Sequence, residues 1–131
     1  MSLYESNYLR FLQLAGDPVR LRGTLVSRVA GDCELRLEVL EHMRYTSMLT
    51  MTYQLPSRAG GCERLPDLRL CAYHDARLLE ADQVMAQANQ QNPRRRDPRK
   101  GERELHQRWA RNMMLNKWLE YCLERGHRFT I

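Results

Sequence analysis

The sequence predicts an α+β fold, in which an antiparallel sheet of about five strands carries the N- and C-terminal helices packed on one face. Three observations predict it: an apolar stripe at helical spacing near the start, strand-like segments with short connections in the middle, and a long amphipathic segment near the end. The 131 residues suit a single domain with one core.

The first helix is predicted over Leu3–Leu14, where Tyr4, Tyr8 and Phe11 recur at helical spacing. Gly16 then ends the helix, since glycine readily adopts the conformation of a helix C-terminus. The chain should turn there towards the sheet.

Strands are predicted over residues 22–29, 33–39, 45–54, 67–73 and 76–81, which read as an antiparallel meander because their connections are mostly short. Cys33–Val39 alternates apolar and charged residues, the period of a strand with one buried face. In the third strand one face holds Tyr45, Ser47, Leu49, Met51 and Tyr53. A long loop is expected over Leu55–Pro66, and Asp82 is expected to cap a short helix reaching Gln91.

An irregular basic linker is predicted at residues 92–101, where two prolines, a glycine and five cations leave little to bury. The last helix is predicted over Glu102–Arg125, and Gly126 stops it. Its apolar face includes Leu115 and Trp118.

The charge imbalance is concentrated in residues 92–111, which hold eight cations and three acids, a net charge of +5. The formal net charge of the whole chain is also +5, so the remainder is balanced. A basic segment of this kind attracts nucleic acid, acidic protein surfaces or lipid headgroups.

Composition excludes other classes of protein. No run of apolar residues is long enough for a transmembrane helix, and the N-terminus lacks the pattern of a signal peptide, so a cytoplasmic protein with no membrane partner is expected. Free thiols are expected at the four cysteines, of which Cys62 lies in the predicted loop. No metal site, cofactor or phosphate-binding loop is predicted, because the His and Cys residues are scattered and Gly60-Gly61 lacks the rest of such a motif.

Tyr73-His74-Asp75 invites a catalytic interpretation, with His74 as a general base that Asp75 orients. Adjacent strand residues point to opposite faces, however, and Asp is a common turn residue. No nucleophile motif accompanies the pair, so a structural turn is favoured and no catalytic residue is predicted.

Several segments together resemble the bacterial YqiB-like family of unknown function. They are Glu5-Ser6-Asn7-Tyr8, Arg44-Tyr45-Thr46, Leu65-Pro66, Leu70-Cys71-Ala72-Tyr73-His74-Asp75-Ala76, and, in the last helix, Asn112, Leu115, Trp118-Leu119, Cys122-Leu123 and Gly126. The resemblance spans almost the whole chain. It implies a compact cytoplasmic protein with no established activity, in which Arg44, Tyr45, Tyr73, His74, Asp75, Asn112 and Trp118 are motif residues of unknown role.

The chain departs from the family pattern ahead of the last helix. The family usually has a Tyr-Pro-Asn segment and an Asp-Glu-Lys triplet there, whereas this sequence has Asn92-Pro93 with the arginine run, and His106-Gln107-Arg108. A changed function in this segment is therefore one implication of the resemblance.

The sequence favours a non-enzymatic binding or regulatory module that engages RNA or single-stranded nucleic acid. The predicted phosphate contacts are Arg94, Arg95, Arg96, Arg99, Lys100, Arg108 and Arg111, with Trp109 as the residue that stacks on a base. Three alternatives stay open: a solvated basic loop without a partner, a core position for Trp109, and a protein-interaction module or homodimer that docks an acidic surface through the arginines and Met113-Met114.

Overall fold

A computed structural model describes the backbone of residues 1–56, 62–85 and 100–129, and the side chains of residues 1–55, 66–85 and 103–129. Its elements are α1 (Leu3–Ala15), a short 3-10 helix (Pro18–Arg20), β1 (Thr24–Ser27), β2 (Glu34–His42), β3 (Thr46–Pro56), β4 (Cys62–Tyr73), β5 (Leu78–Val84) and α2 (Lys100–Arg125). The strands lie in the order β1-β2-β3-β4-β5 and every neighbouring pair is antiparallel. The α+β fold predicted from the sequence is confirmed.

Both ends of α1 have local causes. The Ser2 hydroxyl accepts a hydrogen bond from the Glu5 backbone N–H at 3.2 Å, which satisfies one of the unpaired donors of the first turn. At the other end Gly16 adopts a φ of 80°, and its N–H donates to the Leu12 carbonyl at 2.9 Å. The helix is one residue longer than predicted.

One face of the sheet packs against both helices and forms the core. Leu49 and Met51 of β3 are fully buried, as are Leu37 of β2, Leu70 of β4 and Leu115 of α2. Burial of each such side chain contributes about 1.5–3 kcal/mol relative to exposure. The face of β3 that holds Ser47, Leu49, Met51 and Tyr53 is therefore the buried one, which the alternation alone left open, and on that face Tyr45, which precedes the strand, is exposed.

The long loop predicted over Leu55–Pro66 is wrong at both ends, because β3 continues to Pro56 and β4 already begins at Cys62. The ladder pairs Leu55 with Glu63 and shifts register between Thr52 and Gln54. Pro66 lies opposite that shift. A bulge admits a proline inside a sheet because the unpaired residue needs no N–H donor.

The helix predicted from Asp82 is also wrong at its start, because Asp82 lies within β5. Its carboxylate accepts three hydrogen bonds from the Arg69 guanidinium on β4, at 2.8, 3.0 and 3.2 Å. Cross-strand pairing thus overrides the local capping preference of the aspartate. Of the predicted basic linker, residues 92–99 lie outside the described residues, and Lys100 and Gly101 belong to α2.

The edge strand β5 is closed by asparagine side chains from both helices. The Asn112 Oδ1 atom accepts from the Ala81 N–H at 2.7 Å, and its Nδ2 donates to the Ala81 carbonyl at 3.2 Å. Asn7 donates to the Leu79 carbonyl at 3.2 Å, and Asn116 donates to the Asn7 Oδ1 at 3.0 Å. These amides replace the hydrogen bonds of a sixth strand, so the edge is protected from pairing with another chain.

Substitution Asn112→Ala is expected to lower the free energy of unfolding by about 2–4 kcal/mol, because it leaves the buried Ala81 N–H without an acceptor. Urea denaturation measures the change. Gln107→Ala is the matched control, since Gln107 is exposed on the same helix and its loss should change stability by less than about 0.5 kcal/mol. Equal effects of the two substitutions would contradict the role given to Asn112.

Candidate functional site

The first half of α2 extends beyond the core. Residues 103–110 are all exposed, whereas Leu115, Trp118 and Leu119 in the second half are buried. Leu105 is 68% exposed and Trp109 is 57% exposed, and a spacing of four residues places them on one face of the helix. Trp109 is therefore a surface residue, and the alternative of a core position is excluded.

Arg108 is held by an ion pair within the chain. Its Nε atom donates to Glu80 Oε2 at 3.1 Å, and a second guanidinium nitrogen contacts the same oxygen. The Tyr73 hydroxyl donates to Glu80 Oε1 at 2.8 Å, and burial followed by this hydrogen bond raises the Tyr73 pKa. The Glu80 hydrogen bond likewise raises the pKa of Arg108, and the Arg108 side chain remains 48% exposed. The carboxylate thus fixes one side of the guanidinium beside Trp109.

Arg111 also contacts β5, where its Nε donates to the Ala81 carbonyl at 2.8 Å. Arg108 and Arg111, two of the seven residues predicted to contact phosphate, therefore attach α2 to β5. Arg94, Arg95, Arg96 and Arg99 lie outside the described residues. Lys100 begins α2, nine residues before Trp109 and hence roughly 14 Å from it along the helix axis.

The Tyr73-His74-Asp75 motif lies at the end of β4, and its members do not act together. His74 Nε2 lies 3.0 Å from the buried Ser47 hydroxyl, which itself lies 2.6 Å from His42 Nδ1. Asp75 is exposed in the turn, and no hydrogen bond between described residues joins it to His74. The motif histidine therefore contributes to a His–Ser–His contact that ties two hairpins together.

The other motif residues also have structural surroundings. The Arg44 guanidinium lies 5.2 Å from the centre of the Tyr45 ring in the β2–β3 turn. Trp118 is 6% exposed and packs edge-on against Tyr53, with ring centres 5.5 Å apart. Asn112 closes the edge of β5. The resemblance is thus carried largely by residues that build the fold.

A buried Ser–His–Asp arrangement was missed by the sequence analysis. His127 Nε2 lies 2.8 Å from Asp32 Oδ2, and His127 Nδ1 lies 2.9 Å from Ser27 Oγ. The Tyr53 hydroxyl donates to the same Asp32 oxygen at 2.8 Å. Ser27 and His127 are 100 positions apart in sequence, so no spacing within one element indicates that they are in contact. The nearest local signal is Gly126, which ends α2 directly before His127.

This arrangement joins the tail to the sheet. Ser27 is 5% exposed and its Oγ accepts the Arg128 N–H at 3.1 Å, so the hydroxyl is not reachable as a nucleophile. Burial tends to raise the Asp32 pKa, but hydrogen bonds from Tyr53, the Cys33 N–H and His127 together lower it. The hydrogen bonds of this arrangement therefore stabilise the fold.

Two properties of the described residues limit other site chemistry. Within residues 1–56, 62–85 and 100–129, no three His, Cys, Asp or Glu side chains converge as metal ligands would. In the same ranges no helix combines the length and apolar character needed to cross a membrane. Cys33, Cys71 and Cys122 are free thiols, and burial raises the pKa of Cys122 to about 11.

The fold and the projecting helix define a small α+β protein with one face of its sheet covered by helices. The chain belongs to the DUF1249 family of proteins of unknown function, which it matches over residues 10–128. It is 33% identical over 111 residues to "Uncharacterized protein YqiB" of Escherichia coli strain K12, covering 79% of this chain and 72% of that protein. The YqiB protein of Escherichia coli O157:H7 matches to the same extent. No solved structure matches. The predicted family membership is confirmed.

Substitution Asp32→Asn is expected to reduce the free energy of unfolding by about 2 kcal/mol at neutral pH, since it removes the charged acceptor of three hydrogen bonds. The folded pKa of Asp32 lies below its ordinary value of 3.8, so the wild-type advantage is present above that pH. The advantage is lost as the pH falls through the folded pKa.

Urea denaturation between neutral pH and about pH 2 measures this dependence. Asp75→Asn in the exposed turn is the matched control and should change stability by less than about 0.5 kcal/mol. A difference between wild type and Asp32→Asn that stays constant down to the acid end would contradict the linkage.

Proposed function

We propose that this protein is a non-enzymatic binding or regulatory module that engages an anionic partner, RNA or single-stranded nucleic acid. The observation that carries the proposal is the 57% exposure of Trp109 on a helix that directly follows the basic run. An indole at the surface loses contact with water when a base stacks on it, and such stacking contributes about 1–3 kcal/mol per base.

The two halves of α2 would have different tasks. The buried half, with Leu115 and Leu119, anchors the helix in the core, and Arg111 and Asn112 fix it to β5. The projecting half then presents Trp109 on a rigid support. Arg94, Arg95, Arg96, Arg99 and Lys100 would neutralise phosphates, with the half-exposed Arg108 next to the stacked base.

The sheet is not part of this proposal. Readout of RNA on a sheet surface needs exposed aromatic residues on the strands, and Tyr53 is only 7% exposed because it faces the helices. Tyr45 is 55% exposed but lies in a turn. We therefore assign recognition to the helix and the preceding basic residues. We also propose a cytoplasmic location, which the free thiols support.

The second candidate is a protein-interaction module or homodimer that docks an acidic surface. Leu105 favours it, because an exposed leucine one turn before Trp109 forms an apolar pair that a protein partner would bury. Met114 is 42% exposed further along the helix, whereas Met113 is partly buried. Size-exclusion chromatography with mass detection separates a stable dimer from a monomer.

Substitution Trp109→Ala is expected to weaken binding of a fluorescent single-stranded RNA by about 5- to 100-fold, as loss of one stacked base predicts. Fluorescence anisotropy measures the affinity. Tyr121→Ala is the matched control, since Tyr121 is an aromatic residue of the same helix with 45% exposure and lies in its anchored half. Equal affinity of the Trp109→Ala variant and wild type would exclude stacking at this position.

The double charge reversal Arg95→Glu with Arg96→Glu is expected to weaken RNA binding and to reduce the slope of log affinity against log salt. Each lost phosphate contact should change that slope by about 0.7. Reversal of Arg20 and Arg44, which are exposed elsewhere, changes the net charge equally and is the control. Equal losses in both double variants would indicate attraction to net charge without a defined contact, and would overturn the proposed site.

A further inference from the structure

The turn between β4 and β5 contains a backbone conformation that its residue type disfavours. Among the residues that the structure describes, Arg77 is the one non-glycine residue with a positive φ, 55°. A side chain in this left-handed region costs free energy that glycine avoids, because its Cβ atom comes too close to the backbone. Residues held in such conformations cluster at active sites and ligand contacts.

The geometry of the turn does not explain why this residue is an arginine. Glycine adopts a positive φ without strain and asparagine tolerates it, so either would close the turn between Tyr73 and Leu78 at a lower cost. Arg77 lies directly before β5 and is exposed. Arginine differs from both alternatives in its long cationic side chain, so a role for this position has to come from that side chain.

The Arg77 guanidinium lies against the first helix. Its central carbon is 5.8 Å from the centre of the Tyr8 ring, within the range of a cation–π contact. Tyr8 is 4% exposed, so its ring is a fixed support. Among the described side chains no carboxylate pairs with Arg77, including that of Asp75 in the same turn. The cation is thus held in place without being neutralised.

The same helix supports Arg108 in the same manner. The Arg108 guanidinium carbon is 5.9 Å from the centre of the Tyr4 ring. Tyr4 and Tyr8 are four residues apart in α1, which places them on one face of the helix, roughly 6 Å apart. Glu80, the ion-pair partner of Arg108, follows Arg77 by three residues, so the Cα atoms of Glu80 and Arg77 are at most roughly 10 Å apart. Two arginines from different elements therefore lie on one side of the first turns of α1.

We propose that Arg77 is a further arginine of the anion site on α2, and that it contacts a phosphate of the nucleic-acid strand that stacks on Trp109. This inference rests on the proposed function, and it extends the site from α2 to the β4–β5 turn. Arginine suits the task because its planar fork of N–H donors meets two phosphate oxygens at once. The Tyr8 ring restricts the guanidinium before binding, which reduces the entropy lost when the contact forms.

The stability of the Arg77→Gly variant is the first test, because a residue retained for binding is not needed by the fold. The urea midpoint of the variant is expected to equal or exceed that of wild type, since glycine relieves the disfavoured φ. A lower midpoint would show that the contact with Tyr8 stabilises the fold by more than the strain costs, and would overturn the proposal.

Binding of a fluorescent single-stranded RNA at several salt concentrations is the second test. Arg77→Gly is expected to bind about three- to tenfold more weakly, and the slope of log affinity against log salt should fall by about 0.7, the value of one phosphate contact. Arg44→Gly is the matched control, because Arg44 is also an exposed turn arginine, 5.2 Å from the centre of the Tyr45 ring, but has no positive φ. Equal losses in the two variants would indicate attraction to net charge and would overturn the assignment.

The outcomes separate this inference from the proposed function. RNA binding that depends on Trp109 but not on Arg77 would overturn the role of Arg77 and leave the proposed function in place. Absence of RNA binding by the wild-type protein would overturn the proposed function first, and the role of Arg77 with it.

Discussion

The amide hydrogen bonds that close the edge of β5 are the constraint on which the rest of the structure depends. Asn7 from α1 donates to the Leu79 carbonyl, and Asn112 from α2 accepts the Ala81 N–H, a donor that lacks an acceptor when Asn112 is removed. Because both helices contribute, the same contacts fix the position of each helix on the sheet. A buried amide network is strongly stabilising only when all its members are paired, so loss of one member affects both helices. The orientation of the projecting half of α2 follows from this attachment.

Several charged side chains of the described residues pair with each other within the fold. At the start of the described part of α2, the charge of Arg108 is partly neutralised by Glu80. On the outer face of the sheet, acidic and basic residues alternate along the strands and mostly pair with each other, as Arg69 does with Asp82.

Residues 126–129, which follow α2, are held against the rest of the fold. Gly126 adopts a φ of 93° after α2, and the His127 N–H donates to the Cys122 carbonyl at 3.0 Å, a common way for a helix to end. This turn directs His127 towards Asp32, where burial strengthens the hydrogen bonds that hold the tail. A Ser–His–Asp arrangement is therefore insufficient evidence of catalysis, since exposure of the serine matters as much as the distances.

The sequence by itself determined the α+β class and the places where glycine ends α1 and α2, because these depend on apolar periodicity and on glycine conformation, which are local properties. Trp109 lies nine residues, or two and a half turns, before Trp118, so the two side chains lie on opposite sides of α2, and Trp109 is exposed while Trp118 is buried. Tertiary structure alone decided which side of α2 meets the sheet and α1. It also decided the pairing of His127 with Asp32, which are distant in sequence. Such contacts depend on which elements lie next to each other in the fold, and the spacing of residues within a single element does not predict them.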